Sequence, residues 1–180
     1  MEDHDTDVRG WAAPQFLPVD EEFASATLSG LIFGMSAQEI IALKKRAVSP
    51  PPKRPPLAEL PTATLAEAFE DAASREYAAR FVHEDDPTDM TLHNRIVGEV
   101  IDIRKELVRR KALASLLPLL DSPNITVRAE AARATLPVAP ERANAVLEAV
   151  VASGDQHELL AAAETLLRWR ERTDGHVEDA

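Results

Sequence analysis

The densest group of potential metal ligands is His83, Glu84, Asp85, Asp86, Asp89 and His93. Imidazole nitrogens combined with carboxylate oxygens are the donor set of zinc and related transition metals. A site here would use His83 and His93 with Asp86 or a neighbouring carboxylate. The spacing follows no metal-binding pattern, and the group straddles a polar connection between two helical segments. Such connections normally sit at the surface, so the group reads as a solvated acidic loop, with no metal or other cofactor expected. The chain has no cysteine, which excludes thiolate nucleophiles, Cys-based zinc sites and disulfides. Its Ser, His and carboxylate residues fall in no nucleophile motif. The expectation is a non-catalytic protein.

Recognition chemistry has better candidates. Trp169 is flanked by Arg168, Arg170 and Arg172. An aromatic ring beside guanidinium groups is the composition of an interface anchor. The competing use is structural: Trp169 closes the end of the core, with arginines lying over it. Arg104, Lys105, Arg109, Arg110 and Lys111 form a basic run late in a helical segment. As a site it is a patch for an anion or a partner. As a structural feature it is a solvated face that complements the helix dipole. Residues 28–46, LSGLIFGMSAQEIIALKKR, superficially suggest a helix-turn-helix. A recognition helix needs cations near its N-terminus, whereas Lys44, Lys45 and Arg46 come at the end and prolines follow at once.

These residues must be positioned by helices. Ala and Leu supply most of the apolar content and aromatics are only 4%, a balance that suits close-packed helices rather than a β-sandwich. The fold class is therefore all-α. Residues 1–19 read as a flexible acidic arm. Residues 20–48 read as a helical hairpin: one helix from Asp20 to about Phe33, a break at Gly34, then a capping box, Ser36 to Glu39, opening a second helix to about Val48. Residues 49–61 hold six prolines and read as a spacer and domain boundary. From Thr64 to His83, Leu65, Phe69, Ala72, Ala73, Tyr77 and Phe81 recur at helical spacing. From about Asp89 to Ala112, Leu92, Ile96, Val100, Ile103 and Leu107 form a stripe interrupted by Gly98. Leu113 to Leu120 reads as a helix kinked at Pro118, and Thr126 opens another that Pro137 and Pro140 end. Residues 173–180 read as a frayed tail.

The last two segments repeat with a shift of 31 residues. Leu116 corresponds to Leu147, Leu120 to Val151, Ala131 to Ala162, Ala132 to Ala163 and Leu136 to Leu167, while Val127 corresponds to Glu158. A helix pair cannot bury its apolar face alone and must stack on neighbours. The stretch LLPLLDSPNITVRAEAARATL, Leu116 to Leu136, resembles the HEAT-repeat consensus: a Leu ridge, an Asp in the turn, a Val-Arg pair, then paired Ala. Residues 64–172 also resemble small bacterial HEAT-like proteins of uncharacterised function. The resemblance implies a short α-solenoid of stacked antiparallel helix pairs over 62–172. It also implies that Asp121 and Arg128 make turn-stabilising polar contacts.

Charge narrows the partner. The formal net charge is −11, and residues 61–180 carry 22 acidic against 14 basic residues, a net of −8. Such a chain is repelled by phosphate backbones and anionic lipid, so neither nucleic acid nor a membrane surface is the expected partner. A basic protein is. The reading is a protein-protein interaction module, in its most concrete form an immunity- or antitoxin-like inhibitor of a basic partner. The alternative is a transcription-linked adaptor that uses the 20–48 hairpin. The acidic N-terminus is not followed by an apolar stretch, and no apolar run approaches the ~18–20 residues of a membrane span, so the expected location is the cytoplasm.

Overall fold

A computed structural model describes residues 35–49, 53–83, 90–155 and 158–174. Every regular element among them is helical. In chain order these are α1 (Ala37–Val48), a 3-10 turn (Leu57–Glu59), α2 (Thr62–His83), α3 (Thr91–Arg109), a longer 3-10 helix (Leu113–Asp121), α4 (Ile125–Thr135), α5 (Pro140–Ser153) and α6 (Leu159–Asp174). The chain divides into two compact units, Met1–Ile41 and Ala42–Ala180. Among the described residues, no helix is long and apolar enough to cross a membrane.

Of the first unit, residues 35–41 are described. They show the expected capping box: Glu39 accepts from the Ser36 amide at 2.7 Å and from its hydroxyl at 2.7 Å, while the Glu39 amide donates back to Ser36 Oγ at 3.3 Å. Those bonds, the hydroxyl's first, hold the Glu39 carboxyl below its ordinary pKa. The other half of the expected hairpin, 20–33, lies outside the described residues, as do the arm at 1–19 and residues 175–180.

The second unit contains the stacked helices. Consecutive elements pack on one another: α2 on α3, the long 3-10 helix on α4, α4 on α5, and α5 on α6. Leu65, Phe69, Ala72 and Ala73 of α2 are buried together with Val100, Ile103 and Leu107 of α3. The expected α3 stripe is buried at Ile96, Val100, Ile103 and Leu107 and partly buried at Leu92.

The segment Leu113–Asp121 is not the kinked α-helix its apolar content suggests. It is a nine-residue 3-10 helix containing Pro118. Proline has no N–H to donate to the carbonyl four residues back, so an α-helix here would lose a bond. A three-residue repeat places Leu113 and Leu116 on one buried line. Asn124 caps α4, its side chain accepting from the Thr126 amide at 3.0 Å and the Val127 amide at 3.2 Å. Pro140 does not end the preceding helix; it opens α5, where its fixed φ and missing N–H cost nothing.

The 31-residue correspondence holds in the middle of the pair and fails at its end. Leu116 and Leu147 are both buried, as are Ala131 and Ala162. Leu136 is 3% exposed, yet Leu167 is 59% exposed, and Leu166 is the buried residue instead. The cause is position in the stack. Helix α4 packs against α2, the long 3-10 helix, α5 and α6, so it is covered on several sides. Helix α6 is terminal and buries one stripe: Ala162, Leu166 and, partly, Trp169.

The expected spacer at 49–61 is not the boundary between the units. Its described part, 53–61, belongs to the second unit. Leu60 is buried in the core and Leu57 packs against it. Arg110 donates to the carbonyls of Leu60 at 2.6 Å, Leu57 at 2.8 Å and Ala58 at 2.9 Å, and Arg54 pairs with Asp71 at 3.1 Å. Two arginines fasten this stretch, with its 3-10 turn, to the second unit. The second half of α1 also belongs here: Ala47 is buried with Ala78, Ala79 and Ile96, and Leu43 packs beside them.

Candidate functional site

Helical periodicity gathers one group of cations around a tryptophan. On α6, Thr165, Arg168, Trp169 and Arg172 recur at three- and four-residue intervals and share a face. On α3, Arg104 and Val108 are four apart. These two faces meet the end of α4, Arg133 to Pro137, and Leu113 of the long 3-10 helix. Together they line a cavity of about 450 Å³. Four arginines line it, and no carboxylate does.

Their electrostatic states differ. Arg133 is mostly buried between two acids, with Glu130 in close contact and Glu158 at 3.2 Å. Burial alone would lower its pKa, but the two carboxylates more than offset that and raise it. Its Nη1 is buried without a hydrogen-bond partner. A buried donor left unsatisfied costs about 1–3 kcal/mol, and Nη1 of Arg75 is in the same state. Arg168 pairs with Glu164 at 2.5 Å on the surface. Arg172 donates to the Arg168 carbonyl at 3.2 Å, and its guanidinium carbon lies 5.7 Å from the centre of the Trp169 ring, a cation–π distance. Arg172 and Arg104 have no carboxylate partner among the described residues.

The candidates named from sequence separate clearly. Trp169, Arg168 and Arg104 meet in this cavity. Arg109 does not. It is on another face of α3, its Nη2 2.6 Å from Glu106. The basic run 104–111 is therefore no single patch. Lys105 pairs with Asp102 at 3.3 Å, Arg110 holds the 57–60 carbonyls, and Glu106 is held by Arg109 and Arg110 at a pKa of about 2. Trp169 also packs partly on the core, which is the structural use weighed for it. Sequence reasoning missed Arg133. The available signal was a long cation in an Ala-rich helix, opposite the acid that replaces Val127 in the next copy.

The proposed metal ligands are not brought together among the described residues. Asp86 and the His83 side chain lie outside them. His93 sits half-buried in the first turn of α3. No group of three or more His, Asp or Glu side chains that could hold a metal occurs among the described residues. At the 121–124 turn, Arg128 donates to the carbonyls of Ser122 at 2.6 Å and Pro123 at 3.0 Å. Asp121 pairs with Arg142 of α5 at 2.6 Å rather than with Arg128.

The fold and cavity define an all-helical domain of stacked helix pairs with a cationic, tryptophan-walled recess near its C-terminal end. Residues 62–169 match the family model described as Domain of unknown function (DUF2019), and the chain belongs to that family. The crystal structure of the protein RPA1889 from Rhodopseudomonas palustris CGA009 is similar, with 28% sequence identity and a TM-score of 0.59. The match covers 66% of this chain and 95% of that one. No curated protein matches the chain.

Proposed function

We propose that the protein is a non-catalytic protein-interaction module built from HEAT-like helix pairs, with the recess around Trp169 as its anchoring site. The observation that carries this reading is the recess itself: four arginines, an aromatic wall and an apolar lining that includes Val108, Leu113 and Leu136. Arginine and tryptophan are the side chains on which interface energy concentrates, and here they sit in one concave place. The HEAT-like description is supported by the buried correspondences Leu116 with Leu147 and Ala131 with Ala162. The net charge of −11 supports a basic partner, which the surrounding field would attract and steer. An immunity- or antitoxin-like inhibitor of such a partner is the concrete form of this proposal.

The test is affinity capture with the full-length chain from a lysate of its native host, comparing wild type with Arg104→Gln. The expected result is a basic protein retained by wild type and weakened by Arg104→Gln, with unchanged thermal melting. Retention of the same proteins by both forms would move the interface away from the recess. Retention of none by wild type would end the module reading.

A further inference from the structure

The geometry points to a specific ligand for this recess: the C-terminal carboxylate of a partner chain whose last residue is apolar. The inference rests on the module reading and adds the chemistry of the contact. One observation indicates an anion: Arg104 and Arg172 line the cavity without a carboxylate partner among the described residues. Guanidinium groups match carboxylates through paired N–H donors, and such charge-assisted bonds are the strong ones.

The apolar half of the lining decides what carries the anion. Val108, Leu113, Leu136, Pro137 and the Trp169 ring lie alongside the arginines within about 450 Å³. In a C-terminal residue the carboxylate and the side chain leave the same carbon. One residue can therefore give its charge to the arginines and its side chain to the apolar wall. An internal acidic residue would have to take its apolar contact from a neighbour, and its chain would have to leave the recess in two directions. A nucleic-acid phosphate would have to approach a chain of net charge −11, which repels it. Basic partner and anionic anchor are compatible. The field of the whole chain acts over the Debye length, about 8 Å at physiological salt, while the recess acts at contact.

The experiment uses the full-length chain and a fluorescein-labelled pentapeptide, Gly-Ser-Ala-Val-Leu, with either a free C-terminal carboxylate or a C-terminal amide. Binding is read by fluorescence anisotropy. The free acid is expected to bind at least about tenfold more tightly than the amide, as a charge-assisted pair implies. Arg104→Gln and Arg172→Gln are each expected to weaken the acid several-fold and leave the amide unchanged. Arg104 pairs with no carboxylate among the described residues, so the Arg104→Gln melting curve should superimpose on wild type; Arg172→Gln gives up its contacts with the Arg168 carbonyl and the Trp169 ring and should melt slightly lower. Equal binding of acid and amide, no binding of either, or an acid preference that survives both substitutions would overturn the inference. So would displacement of the acid by inorganic phosphate as effective as displacement by the unlabelled peptide. If the peptides fail while Arg104→Gln still loses a captured protein, the module reading stands and the terminal-carboxylate inference falls.

Discussion

Glu158→Ala should be the most damaging single change outside the apolar core. Glu158 is 4% exposed at the entrance to α6, and it joins two copies of the helix pair. Its Oε1 accepts from Thr126 Oγ1 at 2.7 Å and its Oε2 from Arg133 Nη2 at 3.2 Å. A hydrogen bond to a charged group contributes about 1.5–3 kcal/mol net, and removing one member of a buried ion pair costs about 3–5 kcal/mol. Arg133 keeps Glu130, so the cost should fall lower, about 2–4 kcal/mol. For a domain of this size that lowers the melting temperature by roughly 10 °C. Circular dichroism melts with urea titrations give both numbers. Leu160→Ala, at a position 74% exposed, is the comparison and should stay within about 0.5 kcal/mol of wild type. Glu158→Gln should fall between, because an amide oxygen still accepts from Thr126 but leaves Arg133 with one acid. A Glu158→Ala melt within about 2 °C of wild type would refute the claim that this carboxylate locks the two copies together.

Three further outcomes follow from single positions. A Cβ built on Gly98 meets nothing within 4 Å, so Gly98→Ala should raise stability by about 0.5–1 kcal/mol through helix propensity alone, seen as a higher urea midpoint with unchanged slope. Arg110→Ala removes the donor to three carbonyls and should release residues 53–61, costing about 2–3 kcal/mol and opening that stretch to limited proteolysis. Hydrogen bonds from Arg109 and then Arg110 lower the Glu106 carboxyl from its usual 4.5 to about 2. Its contribution is therefore fully present above pH 4.5 and lost as pH falls toward 2. The stability difference between wild type and Glu106→Gln should shrink across that window, and a constant difference would contradict the assignment.

What was legible in the sequence was whatever depends on period and on local polar chemistry. The stripe Ile96, Val100, Ile103 and Leu107 follows from helical spacing alone, and the Ser36–Glu39 box needs only its own residues. What was hidden depends on how many neighbours an element has. Leu136 and Leu167 occupy equivalent places in the repeat, yet the one in the covered helix is buried and the one in the terminal helix is not. Proline was ambiguous for a related reason. Pro118 sits inside a 3-10 helix and Pro140 opens an α-helix, positions that the proline itself does not distinguish. The prolines of 49–61 suggested a semi-rigid spacer and domain boundary, because nothing local reveals that Arg110, some fifty residues later, fastens the chain there.

The recess was half legible for the same reason. Trp169 and Arg168 stand out as neighbours in sequence, but Arg104 and Arg133 come from two other helices and are placed there by the stacking. The departure from the repeat explains how Arg133 is held. Where the first copy has Val127, buried among apolar neighbours, the second has Glu158. A buried carboxylate needs a cation or donors, and Arg133 with Thr126 supplies both. That pairing fixes the arginine at the wall of the recess with one nitrogen committed and another left over. An apolar residue at 158 would leave both Thr126 and Arg133 without their inter-copy partner. The degenerate position of the repeat is therefore the one that couples the stacking of the helices to the cation they present.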